Sequence, residues 1–516
     1  MLRDSFQARE YQKKIARTAS DTNTLVVLPT GLGKTLIAIM VASEVLQNRP
    51  DSKVMVLAPT RPLVIQHFQT FKRHIHLPEG SFVVLTGTVE PGSRELLWLK
   101  SRLIFATPQT VYNDVKQGRV SLREVALAVF DEAHRSVKDY TYTKLAEAYR
   151  EFSEHPLILG LTASPGSSKE RVEEIKKSLF IEKIEARTEQ SEDVREYVER
   201  TNIEVVKVKA ADEYYDVTLR LRELYNEKVK KLFAGGFLRD NRVSKKALLE
   251  ARSTISARLR MAQDKSDQRG YIFGAIINQA QAVIVLHALE MIETQGAASL
   301  ERYLRKLRGK EERGRATASL MRDPRWIRME EEAEALKSLR HPKVEVLLRV
   351  VRGQLTKKGD SRIIVFTQYR DTIEDIVEAL SQEGLVAQRF VGQSDRVGSE
   401  GMDQQTQTSV LGKFREGEFK ILVSSSIGEE GLHVPDVDLV VFYEAVPSEI
   451  RYIQRRGRTG RTAEGKVVIL LAEGTVDEAY YYSTLFKENR MKELVGRPNE
   501  KPRRHGSKNP TLLDFT

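Results

Sequence analysis

Leu25-Val-Val-Leu-Pro-Thr-Gly-Leu-Gly-Lys-Thr35 is the stretch on which the reading of this chain turns. An apolar run with β character meets a glycine-containing turn, and an apolar-periodic segment, TLIAIMVASEVLQ, opens at Thr35. Strand, loop and helix in that order form the setting for phosphate binding, because the turn's N–H groups and the helix N-terminus direct partial positive charge at phosphate oxygens. In that setting Pro29, Thr30, Gly31, Leu32 and Gly33 make the loop. Lys34 would reach the β- and γ-phosphates, and the Thr35 hydroxyl would ligate Mg2+. The strict pattern wants glycine six residues before the lysine, where this chain has Leu28. A Gly-Lys-Thr tripeptide also fits an ordinary turn capping a helix, so the rest of the chain has to decide.

The 516 residues suffice for about three domains of ~150 residues each. There is no cysteine, which excludes disulfides, thiolate zinc sites and a cysteine nucleophile and fits a reducing cytoplasm. The N-terminus MLRDSFQARE has no apolar signal core, and no uninterrupted run of 18 apolar residues occurs, so a cytoplasmic location without a membrane span is expected. A net charge of +11 favours a polyanionic partner.

From about residue 20 to 205, the runs LVVL (25–28), VMVLAP (54–59), FVVLTG (82–87), LIFATP (103–108), LAVFDEAH (127–134) and LILGLTAS (157–164) alternate with helical patterns. They are apolar throughout, as strands buried on both faces of a parallel sheet are. A capping box, Ser167-x-x-Glu170, opens one of the intervening helices. From Asp212 to Arg340 the texture is helical, with 26 Lys and Arg against 19 Asp and Glu, which concentrates most of the chain's excess charge in a quarter of its length. Within it Arg302–Arg328 is especially basic, and Arg302, Arg305 and Lys306 are expected to contact nucleic acid rather than merely face solvent. After His341-Pro342 the first texture returns with IIVFT (363–367), VAQRFVG (386–392), FKILVSSS (419–426), VDLVVFY (437–443) and KVVILLA (466–472). The expected fold class is α/β: two parallel-sheet domains, 1–208 and 341–488, a helical insert at 209–340, and a polar tail at 489–516.

Ligands bind at the carboxyl ends of parallel strands, which puts Val129-Phe-Asp-Glu-Ala-His134 beside the phosphate loop. Asp131 would hold Mg2+ through water and Glu132 would polarise the attacking water. Alone, such acidic residues also suit a helix N-cap; paired with the Gly-Lys-Thr loop they describe a nucleotide site. In the second domain Gln454-Arg-Arg-Gly-Arg-Thr-Gly-Arg461 puts four arginines into eight residues. Arginines aimed at the γ-phosphate assist phosphoryl transfer, and supplying them from another domain makes hydrolysis depend on closure.

The ordered motifs resemble those of superfamily 2 nucleic-acid helicases and translocases, whose two RecA-like domains close on ATP. They run RxYQ (9–12), PTGLGKT (29–35), APTRPLVxQH (58–67), LTG (85–87), ATPQT (106–110), DEAH (131–134), LTASP (161–165), VFTQYR (365–370), RFVGQ (389–393), GEEGLHVP (428–435) and QRRGRTGR (454–461). With the helical insert, the wording is similar to the family of archaeal Hef and its Fanconi anaemia M relatives, which act on forked and four-way DNA. Dicer-type and RIG-I-like RNA ATPases share a comparable insert, so an RNA helicase is the alternative. A non-catalytic nucleic-acid scaffold is disfavoured by the complete set of Lys34, Thr35, Asp131, Glu132, Arg458 and Arg461.

The resemblance implies ATP and Mg2+ as ligands, with Arg9 and Gln12 at the adenine, Arg458 and Arg461 at the γ-phosphate and Gln454 placing the water. It implies that His134, Thr162 and Ser164 couple hydrolysis to movement. Thr60, Arg61, Gly87 and Thr107 would hold a strand backbone on the first domain, and Thr367, Gln393 and Ser425 on the second. Gly431 and His433 fall at the ribose, where the family carries Asp in place of His433. Up to Thr516 no ERK-type acidic cluster or tandem helix-hairpin-helix signal is read, so no nuclease of the chain's own is expected. The end, Asn509-Pro-Thr-Leu-Leu-Asp-Phe-Thr516, resembles a degenerate sliding-clamp-binding peptide through Leu512 and Phe515, or is an apolar scrap of tail.

Overall fold

Each run read as a strand forms one, and two further strands join them. The computed structural model describes residues 1–198, 201–240, 245–261, 266–309, 314–393, 401–425, 435–459 and 465–496. The first sheet holds β1 (Thr24–Val27), β2 (Lys53–Leu57), β3 (Phe82–Leu85), β4 (Leu103–Ala106), β5 (Val125–Phe130), β6 (Ile158–Thr162) and β7 (Lys183–Ala186). Its order is β3-β4-β2-β5-β6-β1-β7. The second holds β8 (Thr201–Val208), β9 (Ile363–Phe366), β10 (Ala387–Phe390), β11 (Ile421–Ser424), β12 (Leu439–Phe442) and β13 (Gly465–Ala472) in the order β10-β11-β9-β12-β13-β8. Strand pairing within both sheets is parallel. Every residue of β1, β2, β4, β5 and β6 is buried, as the unbroken apolar runs require.

Strand β8 corrects the boundary expected at residue 208. It pairs with β13 over its whole length, from Thr201 with Gly465 to Val208 with Ala472, so the second sheet begins before the insert. Its sequence, TNIEVVKV, mixes polar and apolar residues and leaves Ile203 and Val205 exposed at the sheet edge, so it lacks the continuous apolar signature of its neighbours. The helix expected from Ser167 starts one residue later: Ser168 is the N-cap, its hydroxyl accepting from the Arg171 N–H, and the helix runs Lys169–Ser178.

The insert is a helical bundle with its own core, built on Tyr215–Ala234, Lys245–Met261, Ser266–Thr294, Ala297–Arg308 and Pro324–Ala335. Arg269–Thr294 is long and apolar enough to cross a membrane by length and composition, but it is half buried within the bundle, where Ala282, Val285, Leu286 and Ile292 join the core. A buried polar junction ties this bundle to the second sheet. Lys343, paired with Asp477 of its own domain, donates to the Thr294 carbonyl at 3.4 Å, His341 Nε2 meets the Glu293 carbonyl at 3.0 Å, Thr372 donates to Gln295 at 2.8 Å, and Tyr480 donates to Glu290 at 2.9 Å. Burial, only partly offset by Arg222, pushes the Glu293 carboxyl up to about 7, and burial pushes His341 down to about 3.

The raised carboxyl has a sign. The folded chain keeps a proton on Glu293 that the unfolded chain releases near its ordinary value, so this group's contribution to stability declines as pH rises from about 4.5 to 7 and is flat above that. Between pH 5 and 8 the decline should be roughly 2–3 kcal/mol. Denaturant melts at the two pH values should show it in the wild type, and Glu293→Gln should remove that part of the difference.

Candidate active site

Strand β1 runs into a loop whose backbone is left-handed at Gly31 (φ 85°) and Gly33 (φ 76°), which explains both glycines. A Cβ on Gly33 would stand 2.4 Å from the Gln12 amide, so the loop also needs glycine there to pack on the first helix, Glu10–Asp21. Lys34 opens the next helix, Lys34–Asn48, and its ammonium donates to the carbonyls of Leu28 at 2.9 Å and Pro29 at 3.4 Å. Leu28 is fully buried, packing the core beneath the loop, a use that glycine would not serve.

Gln12 packs against the phosphate loop. Its Oε1 accepts from the Arg9 backbone N–H at 2.9 Å and its Nε2 donates to the Leu32 carbonyl at 3.1 Å, with the side chain buried. Tyr11 donates to the same carbonyl at 2.7 Å. In this arrangement the amide braces the phosphate loop. The Arg9 guanidinium lies 4.3 Å from the centre of the Tyr197 ring, and Tyr197 and Leu32 line a cleft of about 430 Å3 with Thr30, Arg456 and Gly457. Tyr197 was not singled out from the sequence, since an isolated tyrosine in REYVE carries no motif.

At the end of β5, Asp131 is buried and accepts from His67 Nε2 at 2.8 Å. Burial works against its charge, but the His67 imidazole, by charge and hydrogen bond, and Lys34 outweigh that and hold the carboxyl below its usual range. His67 belongs to the quoted APTRPLVIQH run, yet nothing in the run indicated that it would cross to Asp131. Glu132 sits in the left-handed region (φ 49°), a strained state for a non-glycine that turns its carboxylate away from the strand axis. Its Oε2 lies 3.3 Å from His134 Nδ1, which meets the Thr162 hydroxyl at 3.2 Å. Thr162 donates to the Ser164 carbonyl at 2.9 Å, and the Ser164 hydroxyl points at Met491 Sδ, 2.8 Å away on the C-terminal helix Val476–Gly496. The residues expected to couple hydrolysis to movement thus form one chain from Glu132 to an element beyond the second sheet.

The second domain meets this loop through helix Glu449–Arg456. A Cβ on Gly457 would stand 1.8 Å from Thr30 Oγ1, so the backbone at Gly457 rests directly on the phosphate loop, and Arg458 follows it. The clustered arginines are sorted by function. Arg455 is fully buried over the rings of Phe366 (5.0 Å) and Phe442 (5.8 Å). Arg456 bridges Glu189 of the first domain at 2.9 Å and Glu488 at 3.0 Å. Gln454 is buried, and its Oε1 has no hydrogen-bond partner among the described residues. Arg461, Gly431, His433, Leu512 and Phe515 lie outside the described residues.

The expected strand-holding residues fall at the carboxyl ends of neighbouring strands. Thr60 follows β2, Gly87 follows β3 and Thr107 follows β4; Thr367, Gln393 and Ser425 follow β9, β10 and β11. Arg61 reaches across to Gln404 Oε1 at 3.3 Å, bringing the two rows together. The Thr60 hydroxyl is buried and has no hydrogen-bond partner among the described residues. The insert's basic residues expected to contact nucleic acid form ion pairs within the protein. Arg302 pairs with Asp375 and Lys306 with Asp371 at 2.8 Å, both on helix Arg370–Gln382 of the second domain, and Arg305 pairs with Glu301 of its own helix at 2.7 Å. Removing charge with Arg302→Ala and Lys306→Ala should therefore loosen the insert by about 0.5–1 kcal/mol per pair and leave DNA affinity and its salt slope unchanged. Chemical denaturation and a salt titration of DNA binding check this.

For Mg2+, the protein offers the Thr35 hydroxyl and the Asp131 carboxylate, and among the described residues no cluster of three His, Cys, Asp or Glu forms a metal cage. Mg2+ keeps several waters and takes few protein oxygens beside substrate phosphates, so this sparse set fits it.

Two parallel sheets whose strand ends meet across a phosphate loop and an arginine-bearing helix define the ATP-hydrolysing core of a superfamily 2 helicase. The family described as "DEAD/DEAH box helicase" matches residues 9–172, "Helicase conserved C-terminal domain" matches 342–463, and "Putative ATP-dependent RNA helicase, helical bundle" matches 213–334. The crystal structure of the Pyrococcus furiosus Hef helicase domain superposes with a TM-score of 0.70 at 44% identity, over 94% of this chain and 100% of that one. "Putative ATP-dependent RNA helicase MJ1505" of Methanocaldococcus jannaschii is 38% identical over 95% of this chain and 61% of its own length. "ATP-dependent DNA helicase mph1" of Neurospora crassa is 36% identical over 92% of this chain and 41% of its own length. The chain thus spans about two fifths to three fifths of these curated relatives. It belongs to the DEAD/DEAH-box helicases and resembles the helicase part of archaeal Hef.

Proposed function

We propose that this chain is an ATP-driven motor that moves on DNA and remodels branched structures such as forks and four-way junctions. The observation that carries the motor reading is the seat of Gly457 on Thr30, which makes the nucleotide site composite. Lys34 exchanges its loop carbonyls for β- and γ-phosphate oxygens. Gln454 Oε1 is the buried acceptor that orients the attacking water, and Glu132 takes a proton from it as the new O–P bond forms and the bond to the ADP oxygen breaks. Arg458 balances the charge that develops on the γ-phosphoryl group, with Arg461 in the same role by resemblance. Thr35 and, through water, Asp131 would hold Mg2+, which would supply charge neutralisation at the phosphates. Loss of the γ-phosphate releases the second domain, and the chain His134–Thr162–Ser164–Met491 carries that change to the C-terminal helix.

The two rows of small polar residues at β2–β4 and β9–β11 suit backbone phosphates, contacts that position a strand without reading its sequence. DNA as the track is supported by the resemblance to the Hef helicase domain and by a relative named as a DNA helicase. Branched DNA follows from the same resemblance. The RNA reading rests on the name of the Methanocaldococcus relative and on the description of the helical-bundle family. ATP hydrolysis measured side by side with single-stranded DNA, duplex, fork, four-way junction and double-stranded RNA tests all of this. Greatest stimulation by forks and junctions is expected; stimulation by RNA alone would transfer the chain to the second reading.

A further inference from the structure

With Arg302 and Lys306 committed to ion pairs inside the molecule, the insert's surplus of positive charge has to be used elsewhere. It gathers at the end of the bundle farthest from the second sheet. Toward that end, residues 228–240 and 250–261 carry seven Lys and Arg against two carboxylates, while Lys245, at the start of its helix, is paired with Glu290 at the junction. Among the described residues Arg252, Arg260 and Lys230 are exposed, and no carboxylate pairs with them.

The same end carries an assembled aromatic group. After helix Tyr215–Ala234 the chain turns through Gly235 and Gly236, the latter left-handed at φ 66°. Arg258 Nη2 donates to the Gly236 carbonyl at 3.0 Å and lies 4.8 Å from the centre of the Phe237 ring. Phe237 in turn faces Tyr271 at 6.0 Å with planes 33° apart. A Cβ on Gly235 would stand 2.6 Å from Tyr271 Oη, so the glycine lets the ring lie against the turn. Guanidinium, buried phenyl and phenol are thus layered, and the phenol is the outermost, 60% exposed. Phe233 and Met261, flanking the turn and Arg258 in the chain, are also largely exposed. A soluble protein normally spends rings of this size on its core; here one is held rigid and offered to solvent amid unpaired positive charge. Tyr271 stands about 33 Å along helix Ser266–Thr294 from the polar junction at Glu293, by the helical rise of 1.5 Å per residue, so the group projects beyond the sheet domains.

We propose that this distal end of the insert is a stacking platform for unpaired bases of DNA at a branch point, with Tyr271 as the ring on which a base lies and Arg260, Arg252 and Lys230 as partners for the adjoining phosphates. The inference rests on the reading of the chain as a DNA motor and adds to it the part of the substrate that the insert takes. Stacking on an aromatic side chain tolerates any base, which suits a motor that works at branches of any sequence.

The test uses the full chain without nucleotide and three DNAs of equal length: single-stranded, blunt duplex, and a fork with 2-aminopurine in the unpaired arm beside the branch. Tyr271→Leu should weaken fork and single-strand binding roughly ten-fold or more, leave blunt duplex binding unchanged and abolish the 2-aminopurine quenching seen with the wild type. Tyr271→Phe, which keeps the ring, should behave as wild type and controls for folding. Arg260→Gln should weaken all three DNAs and reduce the salt slope by about one. Equal fork affinity and equal quenching in Tyr271→Leu would overturn this inference and leave the motor reading standing; a wild-type chain that binds none of the three would overturn both.

Discussion

Replacing Lys34 by alanine should abolish ATP turnover while fork binding persists. The ammonium is the one cation the loop itself supplies to the phosphates, and it also helps to keep Asp131 ionised from within hydrogen-bonding reach of the loop carbonyls. Removing one such preorganised donor costs about 10²–10³ in rate, and loss of a full charge together with its effect on the metal carboxylate should reach at least that. On the proposed reading other strand ends carry nucleic-acid binding, so fork affinity should change little. Glu132→Gln should lose turnover to a similar extent yet still bind nucleotide, because it removes the proton acceptor and not the phosphate cradle. Phosphate release at saturating DNA, with fork anisotropy in parallel, decides the matter. Retained turnover in Lys34→Ala would move the nucleotide out of this loop.

The second large effect is expected from a single methyl group. Gly457 has φ −68° and ψ 11°, which alanine adopts without strain, so Gly457→Ala should leave each domain folded and its melting curve unchanged. The added Cβ would nevertheless stand 1.8 Å from Thr30 Oγ1 and 2.8 Å from Thr30 Cβ, forcing the two domains apart by more than about 1 Å to regain van der Waals contact. A displacement of that size costs about 10²-fold where geometry must be near-reactive. Turnover should fall by that factor with DNA binding preserved. Thr30→Ala, which removes the hydroxyl, should restore part of the activity when combined with it. A Gly457→Ala chain with full activity would mean that the sheets close on ATP through some other contact.

Much of the site was legible because its chemistry is local. A left-handed turn needs Gly31 and Gly33 whatever surrounds it, and strands buried on both faces must be apolar throughout, so the loop, the sheets and the two carboxylates were readable residue by residue. The partners that Gln12, Arg302 and Lys306 take in the fold were not legible, for the opposite reason. Whether an amide braces a loop or faces a base, and whether a cation meets a phosphate or Asp375, depends on which helix is packed opposite, and spacing along the chain carries no record of that. The allegiance of β8 to β13, more than 250 residues later, was not visible at all.

The sequence by itself determined the elements, their α/β class and the chemical kit of a nucleotide site, since periodicity, glycine geometry and charge are properties of short stretches. Tertiary structure alone decided how that kit is divided. Along the chain the motifs expected to hold nucleotide alternate with those expected to hold a strand. The order β3-β4-β2-β5-β6-β1-β7 gathers Gly87, Thr107 and Thr60 on one side and Thr162, Asp131 and the phosphate loop on the other, and β10-β11-β9-β12-β13-β8 repeats the separation for Gln393, Ser425 and Thr367 against the arginine helix. Hydrogen bonding between strands distant in sequence sets that order, and it is what turns one list of motifs into two facing sites.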